Sequence, residues 1–170
     1  MPVFVALLRA VNVGGTGKLP MADLKAMCVD AGFEDVRTYI ASGNVVFSSK
    51  LKEVQAKRLL EKRLHDYAGK PVGVIMRTAS ELADVLASNP FPEAAPNRTI
   101  AIFLDEAPPK EALKHISGQK GEALGLGSRE IYVHYGDGMA DSKLKIPAAR
   151  SGTARNMNTI AKLVALARAT

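Results

Sequence analysis

Two short apolar runs constrain the fold of this chain more than any other feature. Val3–Leu8 and Thr99–Leu104 lack the polar alternation of a half-exposed strand. Uninterrupted apolar runs of this length are typical of central strands that are covered on both faces. Each run opens a similar series of elements, so the sequence predicts an internal repeat of pattern without repetition of identical residues.

The first half of the chain is predicted to have the order β-α-β-β-α-β. Pro20 suits the first turn of a helix, and Gly32 suits its end. Ser42–Asn44 separates two runs rich in β-branched residues, which is typical of a tight hairpin. A second helix is expected to end near Gly69, and Val72–Met76 is expected to form another strand.

A connector is predicted between the two halves. Thr78-Ala79-Ser80-Glu81 fits a capping box that would open a short helix. The prolines at 90, 92 and 96 then indicate a stiff, extended segment. We therefore assign residues 79–96 to a helix followed by a proline-rich connector.

The second half is predicted to have the order β-α-β-β-α. Pro108-Pro109 is expected to start a helix that runs through Ile116. A second hairpin is expected around Gly127-Ser128, followed by a loop over Gly136–Gly152. The last helix is expected to run from about Thr153 to Arg168.

This order of elements predicts an α+β fold. We expect two ferredoxin-like β-α-β-β-α lobes that form an internal pseudo-repeat and pack as one unit. The chain is then a single domain over residues 1–170, with lobes at 1–78 and 97–170. A ligand would be expected in a cleft between the lobes.

Composition narrows the classes of function. The single cysteine, Cys28, excludes an internal disulfide and lies at helical spacing among apolar residues, which favours a buried thiol. The apolar start is too short to span a membrane and lacks the charged leader of a signal peptide, so we expect a cytoplasmic protein. The net charge of +6 favours anionic partners. Without tryptophan and with few aromatics, nucleic-acid binding is allowed but not indicated.

The predicted last helix offers a candidate anion site. Four polar side chains at i, i+3, i+4 and i+7 would share one face, with Thr153 as the N-cap: Arg155, Asn158, Thr159 and Lys162. Free backbone N–H groups and the positive end of the helix dipole would add to the attraction for an anion. The structural alternative is a solvated helix face with a cap.

Three blocks of the sequence resemble one bacterial family, known as domain of unknown function 1697. The blocks are 6–15 (ALLRAVNVGG), 38–47 (TYIASGNVVF) and 153–159 (TARNMNT), and the similarity extends to Asn89-Pro90-Phe91 and Ser142-Lys143-Leu144. The family pattern usually has glycine in place of Ala10 and tryptophan in place of Met157. The resemblance implies a two-lobed α+β fold and no established activity.

Polar residues in these blocks lead to a hypothesis of a shared anion pocket. Arg9 and Arg155 would pair with phosphate or carboxylate oxygens, while Gly14 and Gly15 would let backbone amides approach. The full candidate set is Arg9, Asn12, Gly14, Gly15, Lys18, Asn44, Arg155, Asn158 and Lys162. In the structural alternative, asparagine and glycine hold turns and the arginines pair with nearby carboxylates. For Ser42–Asn44 we favour that alternative.

Other motif-like strings do not complete a known site. The segment 12–19 imitates a phosphate-binding loop but has Leu19 where a magnesium-binding hydroxyl is needed. Ser142–Lys145 matches S-x-x-K but is better read as a basic loop. His134 is the histidine to watch as an acid or base. One cysteine and three scattered histidines make a zinc site improbable, and we expect no metal site.

The leading functional hypothesis is a binder of a small anionic molecule, phosphorylated or nucleotide-like. One alternative is an enzyme of unknown reaction that acts on such a ligand. Another is a nucleic-acid or protein-interaction module. The sequence identifies no cofactor, reaction, particular ligand or oligomeric state.

Overall fold

The structure is a computed structural model that describes residues 1–9, 18–40, 43–136 and 142–170. The chain divides into two compact units. Unit 1 comprises Met1–Leu82 and Lys162–Thr170, and unit 2 comprises Ala83–Ala161. Each unit contains a four-stranded antiparallel sheet, so the predicted α+β class is confirmed.

Unit 1 has the predicted order β-α-β-β-α-β. Its elements are β1 (Val3–Leu8), α1 (Met21–Asp30), β2 (Glu34–Thr38), β3 (Asn44–Ser48), α2 (Glu53–Ala68) and β4 (Val74–Thr78). The strand order in the sheet is β2-β3-β1-β4. The predicted hairpin is therefore present as β2 and β3, and β1 is a central strand with a hydrogen-bonded neighbour on each side.

The core of unit 1 explains why β1 is apolar throughout. Phe4 and Leu8 pack on one face of the sheet with residues of α1 and α2, among them Leu24 and Leu60. The intervening Val5 and Leu7 are completely buried as well, so neither face of β1 contacts solvent. Cys28 is a buried free thiol in this core, as predicted. Burial raises its pKa to about 12, which keeps the thiol protonated and unreactive at neutral pH.

The residues that end α2 and begin the following helix are the ones that the sequence predicts. Gly69 adopts a left-handed conformation at φ 71° and ends α2. Thr78 and Glu81 form the predicted capping box, because the Thr78 N–H donates to Glu81 Oε1 at 2.9 Å and the Glu81 N–H donates to Thr78 Oγ1 at 3.2 Å. The helix that this box opens is α3 (Ala79–Ala87).

Unit 2 has a sheet with the corresponding strand order. Its strands are β5 (Thr99–Phe103), β6 (Ala123–Leu126), β7 (Glu130–His134) and β8 (Thr153–Asn156), in the order β6-β7-β5-β8. Helix α4 (Met157–Arg168) follows β8, and its residues from Lys162 onward belong to unit 1. The hairpin predicted around Gly127-Ser128 is present as β6 and β7. The first strand of each half thus occupies the same central place in its sheet.

Two predictions about the second half are wrong. The helix expected from Pro108-Pro109 through Ile116 is only a short 3-10 turn over Ala112–His115. The last helix begins at Met157, four residues later than predicted, because 153–156 instead pairs with β5 as the strand β8. The order of the described elements is therefore a β-strand, a 3-10 turn, two β-strands, a second 3-10 turn, a fourth β-strand and an α-helix.

The helices of the described residues are short. The longest, α2, has 16 residues, whereas a transmembrane helix needs about 20 apolar residues. No described segment meets the length and hydropathy expected of a membrane-spanning helix.

Candidate functional site

One pocket in unit 1 is formed by the residues just before α1, the end of α2 and the residues just before β4. Its volume is about 230 Å³. The lining residues are Lys18, Leu19, Leu64, Tyr67, Ala68, Lys70 and Val72. Leu19 and Leu64 are buried and form an apolar floor, whereas both lysines are exposed. The pocket therefore combines an apolar interior with two positive charges.

Among the residues that the structure describes, no carboxylate neutralises the two lysine ammonium groups of this pocket. Neither Lys18 nor Lys70 forms an ion pair or a hydrogen bond with any described residue. Lys18 belongs to the predicted site set, whereas sequence reasoning missed Lys70. Lys70 directly follows Gly69, the glycine that ends α2, and it belongs to no sequence motif.

One wall of the pocket is fixed by a hydrogen bond between the two helices of unit 1. The Tyr67 hydroxyl near the end of α2 donates to Asp23 Oδ2 in the first turn of α1, at 2.7 Å. This hydrogen bond, together with smaller effects of desolvation and of the Asp23 charge, raises the pKa of Tyr67. The phenol therefore stays neutral over the physiological range and holds the two helices together beside the pocket.

Arg9 follows β1 at the same end of the sheet. Its backbone N–H donates to the Gly73 carbonyl at 2.9 Å. The Arg9 side chain passes over Gly73, because a Cβ built on that glycine would lie 3.4 Å from Arg9 Cβ and 3.5 Å from its Cδ. Gly73 adjoins Val72, which lines the pocket. Arg9 is exposed and has interactions of its own. The remaining predicted residues of this block, Asn12, Gly14 and Gly15, lie outside the described residues.

Asn44 closes the hairpin of unit 1. It is fully buried, its Nδ2 donates to the Tyr39 carbonyl at 2.9 Å, and its own carbonyl accepts from the Tyr39 N–H at 3.0 Å. These bonds join the two ends of the hairpin across the turn. The structural interpretation that we favoured for Ser42–Asn44 therefore accounts for the Asn44 side chain, and Ser42 lies outside the described residues.

Arg155 lies on β8 and not on the final helix. Its guanidinium Nη1 donates to the Thr153 hydroxyl at 2.8 Å and to the Ala154 carbonyl at 2.9 Å, and the residue is buried. Burial lowers its pKa to about 10, so the guanidinium remains charged at neutral pH. The predicted helix face shared by Arg155, Asn158, Thr159 and Lys162 is therefore wrong in its first member, and Thr153 is not the N-cap.

The cap of α4 is Asn156. Its Oδ1 accepts from the backbone N–H of Thr159 at 2.9 Å, which is the N-cap geometry. Asn158 and Lys162 are both exposed and lie one turn apart on the helix. Thr159 is buried, so it does not share their exposed face.

His134, at the end of β7, has a defined hydrogen-bond partner. Its Nδ1 lies 3.1 Å from the Thr99 hydroxyl, which in turn donates to the Ala95 carbonyl at 3.0 Å. The Phe91 ring lies with its centroid 6.2 Å from that of the imidazole. Sequence reasoning singled out His134 but gave no sign of Thr99 as its partner, because the two residues are paired only through the sheet register.

Ser142, the first residue of the predicted S-x-x-K match, has a structural role in unit 2. The Ser142 hydroxyl donates to Glu122 Oε2 at 2.6 Å, and Glu122 also accepts from the Lys120 backbone N–H. These hydrogen bonds lower the pKa of Glu122 and tie Ser142 to a buried carboxylate. The Ser142 hydroxyl is thus engaged in local hydrogen bonds and also accepts from the Leu144 N–H at 3.3 Å. Within the described residues, no group of three histidine, cysteine or acidic side chains is placed to hold a metal ion.

Together these observations define a two-sheet α+β protein with a basic pocket in unit 1 and a half-buried histidine in unit 2. The family model for "Protein of unknown function (DUF1697)" matches residues 1–132, and the chain belongs to this family, as the resemblance predicted. No curated protein shows detectable sequence similarity.

A solved structure has the same fold. It is that of conserved bacterial protein SP0830 from Streptococcus pneumoniae, with a TM-score of 0.81 and 24% sequence identity over 98% of each chain. At this level of identity the likeness establishes the fold alone.

Proposed function

We propose that this protein binds a small anionic ligand in the unit 1 pocket lined by Lys18 and Lys70. The observation that carries the proposal is the combination of an apolar floor with two ammonium groups that form no ion pair with a described residue. An anion would interact with both lysines, and an apolar portion of the same molecule would contact Leu19, Leu64 and Val72. The net charge of +6 would favour the approach of such a ligand.

The size of the pocket narrows the class of ligand. A volume of about 230 Å³ is below the roughly 300–1,000 Å³ of pockets that enclose drug-sized molecules. We therefore favour a small phosphorylated or carboxylated metabolite over a complete nucleotide. Lysine acts as a compact point charge. This site would therefore select a ligand by its charge more than by the planar arrangement of oxygens that a bidentate arginine recognises.

Of the predicted site residues, Lys18 is central to this proposal and Arg9 is its neighbour through Gly73 and Val72. Arg155 bonds within unit 2, so we leave it out of the ligand contacts. Asn158 and Lys162 are exposed, and their contribution to a ligand site stays a prediction. The same holds for Asn12, Gly14 and Gly15.

The proposal is tested by titrating the protein with phenyl phosphate, benzoate and phenol, and following backbone amide signals by NMR. Phenyl phosphate and benzoate should shift signals of residues that line the pocket, whereas neutral phenol should not shift them. Lys18→Gln and Lys70→Gln should each weaken binding about two- to fivefold, as expected for an exposed charge pair. Lys62→Gln, which removes an exposed lysine of α2 that does not line the pocket, is the matched control and should leave the affinity unchanged.

Equal effects of Lys62→Gln and Lys18→Gln would mean that overall charge, and not the pocket, attracts the anion. Equal shifts of the pocket signals by phenol and by phenyl phosphate would show that the lysines do not account for the binding. Preference for a nucleic-acid oligomer with a steep salt dependence would favour the interaction-module alternative.

We also propose that both units are ferredoxin-like lobes of one domain. The support is the shared strand order of the two sheets and the β-α-β-β-α-β order of unit 1. The lobe boundaries 1–78 and 97–170 and a cytoplasmic location stay predictions.

A further inference from the structure

The family-like segment Asn89-Pro90-Phe91 has a definite place in unit 2. Asn89 Oδ1 accepts from the Phe91 backbone N–H at 2.9 Å and fixes a turn. Pro90 packs on β6, because a Cβ built on Gly125 would lie 3.0 Å from Pro90 Cγ. The segment therefore lies against the sheet beside β7, and it brings the Phe91 ring within 6.2 Å of the His134 ring.

The hydrogen bonds around Thr99 determine which nitrogen of neutral His134 carries the proton. The Thr99 hydroxyl has one hydrogen, which it donates to the Ala95 carbonyl. With that hydrogen directed to Ala95, the hydroxyl accepts from His134, so the tautomer that satisfies both contacts has its hydrogen on Nδ1. Neutral imidazole has a single N–H, and Nε2 therefore has a free lone pair.

The arrangement around His134 holds its ring in one orientation. Thr99 is completely buried and His134 is half-buried, so the bond between them is shielded from competition by water. Within the part of the chain that the structure describes, Nε2 has no hydrogen-bond partner. A fixed acceptor beside an aromatic ring thus remains available to a ligand.

We propose that His134 and Phe91 form a second binding site, which takes a small aromatic molecule that carries a hydroxyl group. The hydroxyl of the ligand donates to His134 Nε2, and its ring packs against Phe91. Aromatic pairs are favourable at ring separations of 4.5–7 Å, so a phenol-sized ring can contact Phe91 while its hydroxyl bonds to Nε2. Asn89 and Thr99 are positioning residues, because they act through Phe91 and His134.

The first test measures the tautomer of His134 by long-range proton–nitrogen correlation NMR of the intact chain. Neutral His134 should show a hydrogen on Nδ1 and none on Nε2. Thr99→Val should abolish this preference, whereas Thr99→Ser keeps the hydroxyl and should preserve it. A wild-type spectrum with the hydrogen on Nε2 would overturn the proposal, and this readout does not depend on whether Thr99→Val folds.

The second test titrates the protein with phenol and, as a control, with anisole, which has a ring of similar size and no donor. Phenol should shift the His134 Nε2 signal and anisole should not. Phe91→Leu should weaken the phenol response about twofold to tenfold, in keeping with the loss of one aromatic pair. His65 and His115 are exposed and serve as internal controls. Equal shifts from anisole, or equal responses of all three histidines, would overturn the proposal.

Discussion

The two sheets have the same strand order but are connected by different structures. In unit 1, α1 and α2 provide the connections on either side of the β2–β3 hairpin, and both contribute buried residues to the core. In unit 2, the described parts of the corresponding connections contain 3-10 turns, at Ala112–His115 and Pro147–Ala149, and no α-helix. The apolar central strands and the hairpins therefore determine the order of the sheet, whereas the connecting segments can vary.

The two units also use positive charge differently. In unit 2, Arg155 is buried and its guanidinium bonds to a hydroxyl and a carbonyl of its own strand. In unit 1, Lys18 and Lys70 are exposed and make no ion pair with a described residue. A cation that is already hydrogen-bonded in the interior stabilises local structure, whereas an exposed and unneutralised one is available to a ligand. This contrast is why our proposal rests on the lysines of unit 1.

The largest loss of stability is expected where an α-helix covers the sheet, and a smaller one where a 3-10 turn covers it. Leu60 in α2 is completely buried, whereas Leu113 in the 3-10 turn of unit 2 is only partly buried. Leu60→Ala should lower the free energy of unfolding by about 4 kcal/mol, because it removes apolar contacts and leaves a cavity. Leu113→Ala should cost about 1 kcal/mol. Urea denaturation measures both, and equal losses would show that the loop covers its sheet as tightly as the helix does.

The next largest loss of stability is expected at Gly118, in the connection between β5 and β6. Gly118 has a φ of 72°, and a Cβ there would lie 2.0 Å from the Lys143 carbonyl oxygen. Gly118→Ala should cost about 3 kcal/mol or more, because the backbone must move to relieve the overlap. Gly121 also has a positive φ but open space around it, so Gly121→Ala should cost only about 1 kcal/mol. Thermal unfolding measures both variants. Similar losses of stability would show that close backbone packing at Gly118 does not account for its cost.

Much of unit 1 could be predicted from its sequence because its signals are local. A capping box, a helix-ending glycine and an alternation of turns and apolar runs each determine structure within a few residues. The helix predicted after Pro108-Pro109 failed because only a short run separates these prolines from the positive-φ Gly118. A helix of that length is marginal without strong packing.

The error at β8 has a different physical cause. Thr153–Asn156 pairs with β5, and such pairing depends on residues far away in the sequence. The same applies to the candidate sites, where Lys18 meets Lys70 and Thr99 meets His134 only through the fold. Residue types in the sequence indicated Lys18 and His134, but their partners have no sequence signal of their own.

Stability should begin to fall at a lower pH through Cys28 in unit 1 than through Tyr132 in unit 2. The pKa of Cys28 in unit 1 is raised from 9.0 to about 12 by burial, and that of Tyr132 in unit 2 from 10.0 to about 12, first by burial and then by the Glu130 charge. Both groups ionise earlier in the unfolded chain than in the folded one. Their contribution is therefore complete below pH 9 and 10 respectively, and is lost as the pH rises toward 12.

Cys28 should account for a fall of about 1.4 kcal/mol in the free energy of unfolding for each pH unit above 9. Cys28→Ala should remove this slope, and Tyr132→Phe should flatten only the part above pH 10. Urea denaturation at pH 8, 9 and 10 measures the slopes, which are compared within each variant so that the cost of the substitution cancels. An unchanged slope in Cys28→Ala between pH 9 and 10 would contradict the burial of its thiol in the folded state.

The smallest effect tests where the last helix begins, which is the point at which the predicted and observed second halves differ most. Asn156 caps α4 through its bond to the Thr159 N–H, so Asn156→Ala should cost about 1 kcal/mol. Asn158→Ala is the matched control, because this asparagine is exposed within the helix and should change stability by less than about 0.5 kcal/mol. If the helix began at Thr153 instead, Asn156 would lie in its first turn and the two substitutions would have similar effects. A difference between them in thermal unfolding therefore supports the strand β8 that places Arg155 in the sheet.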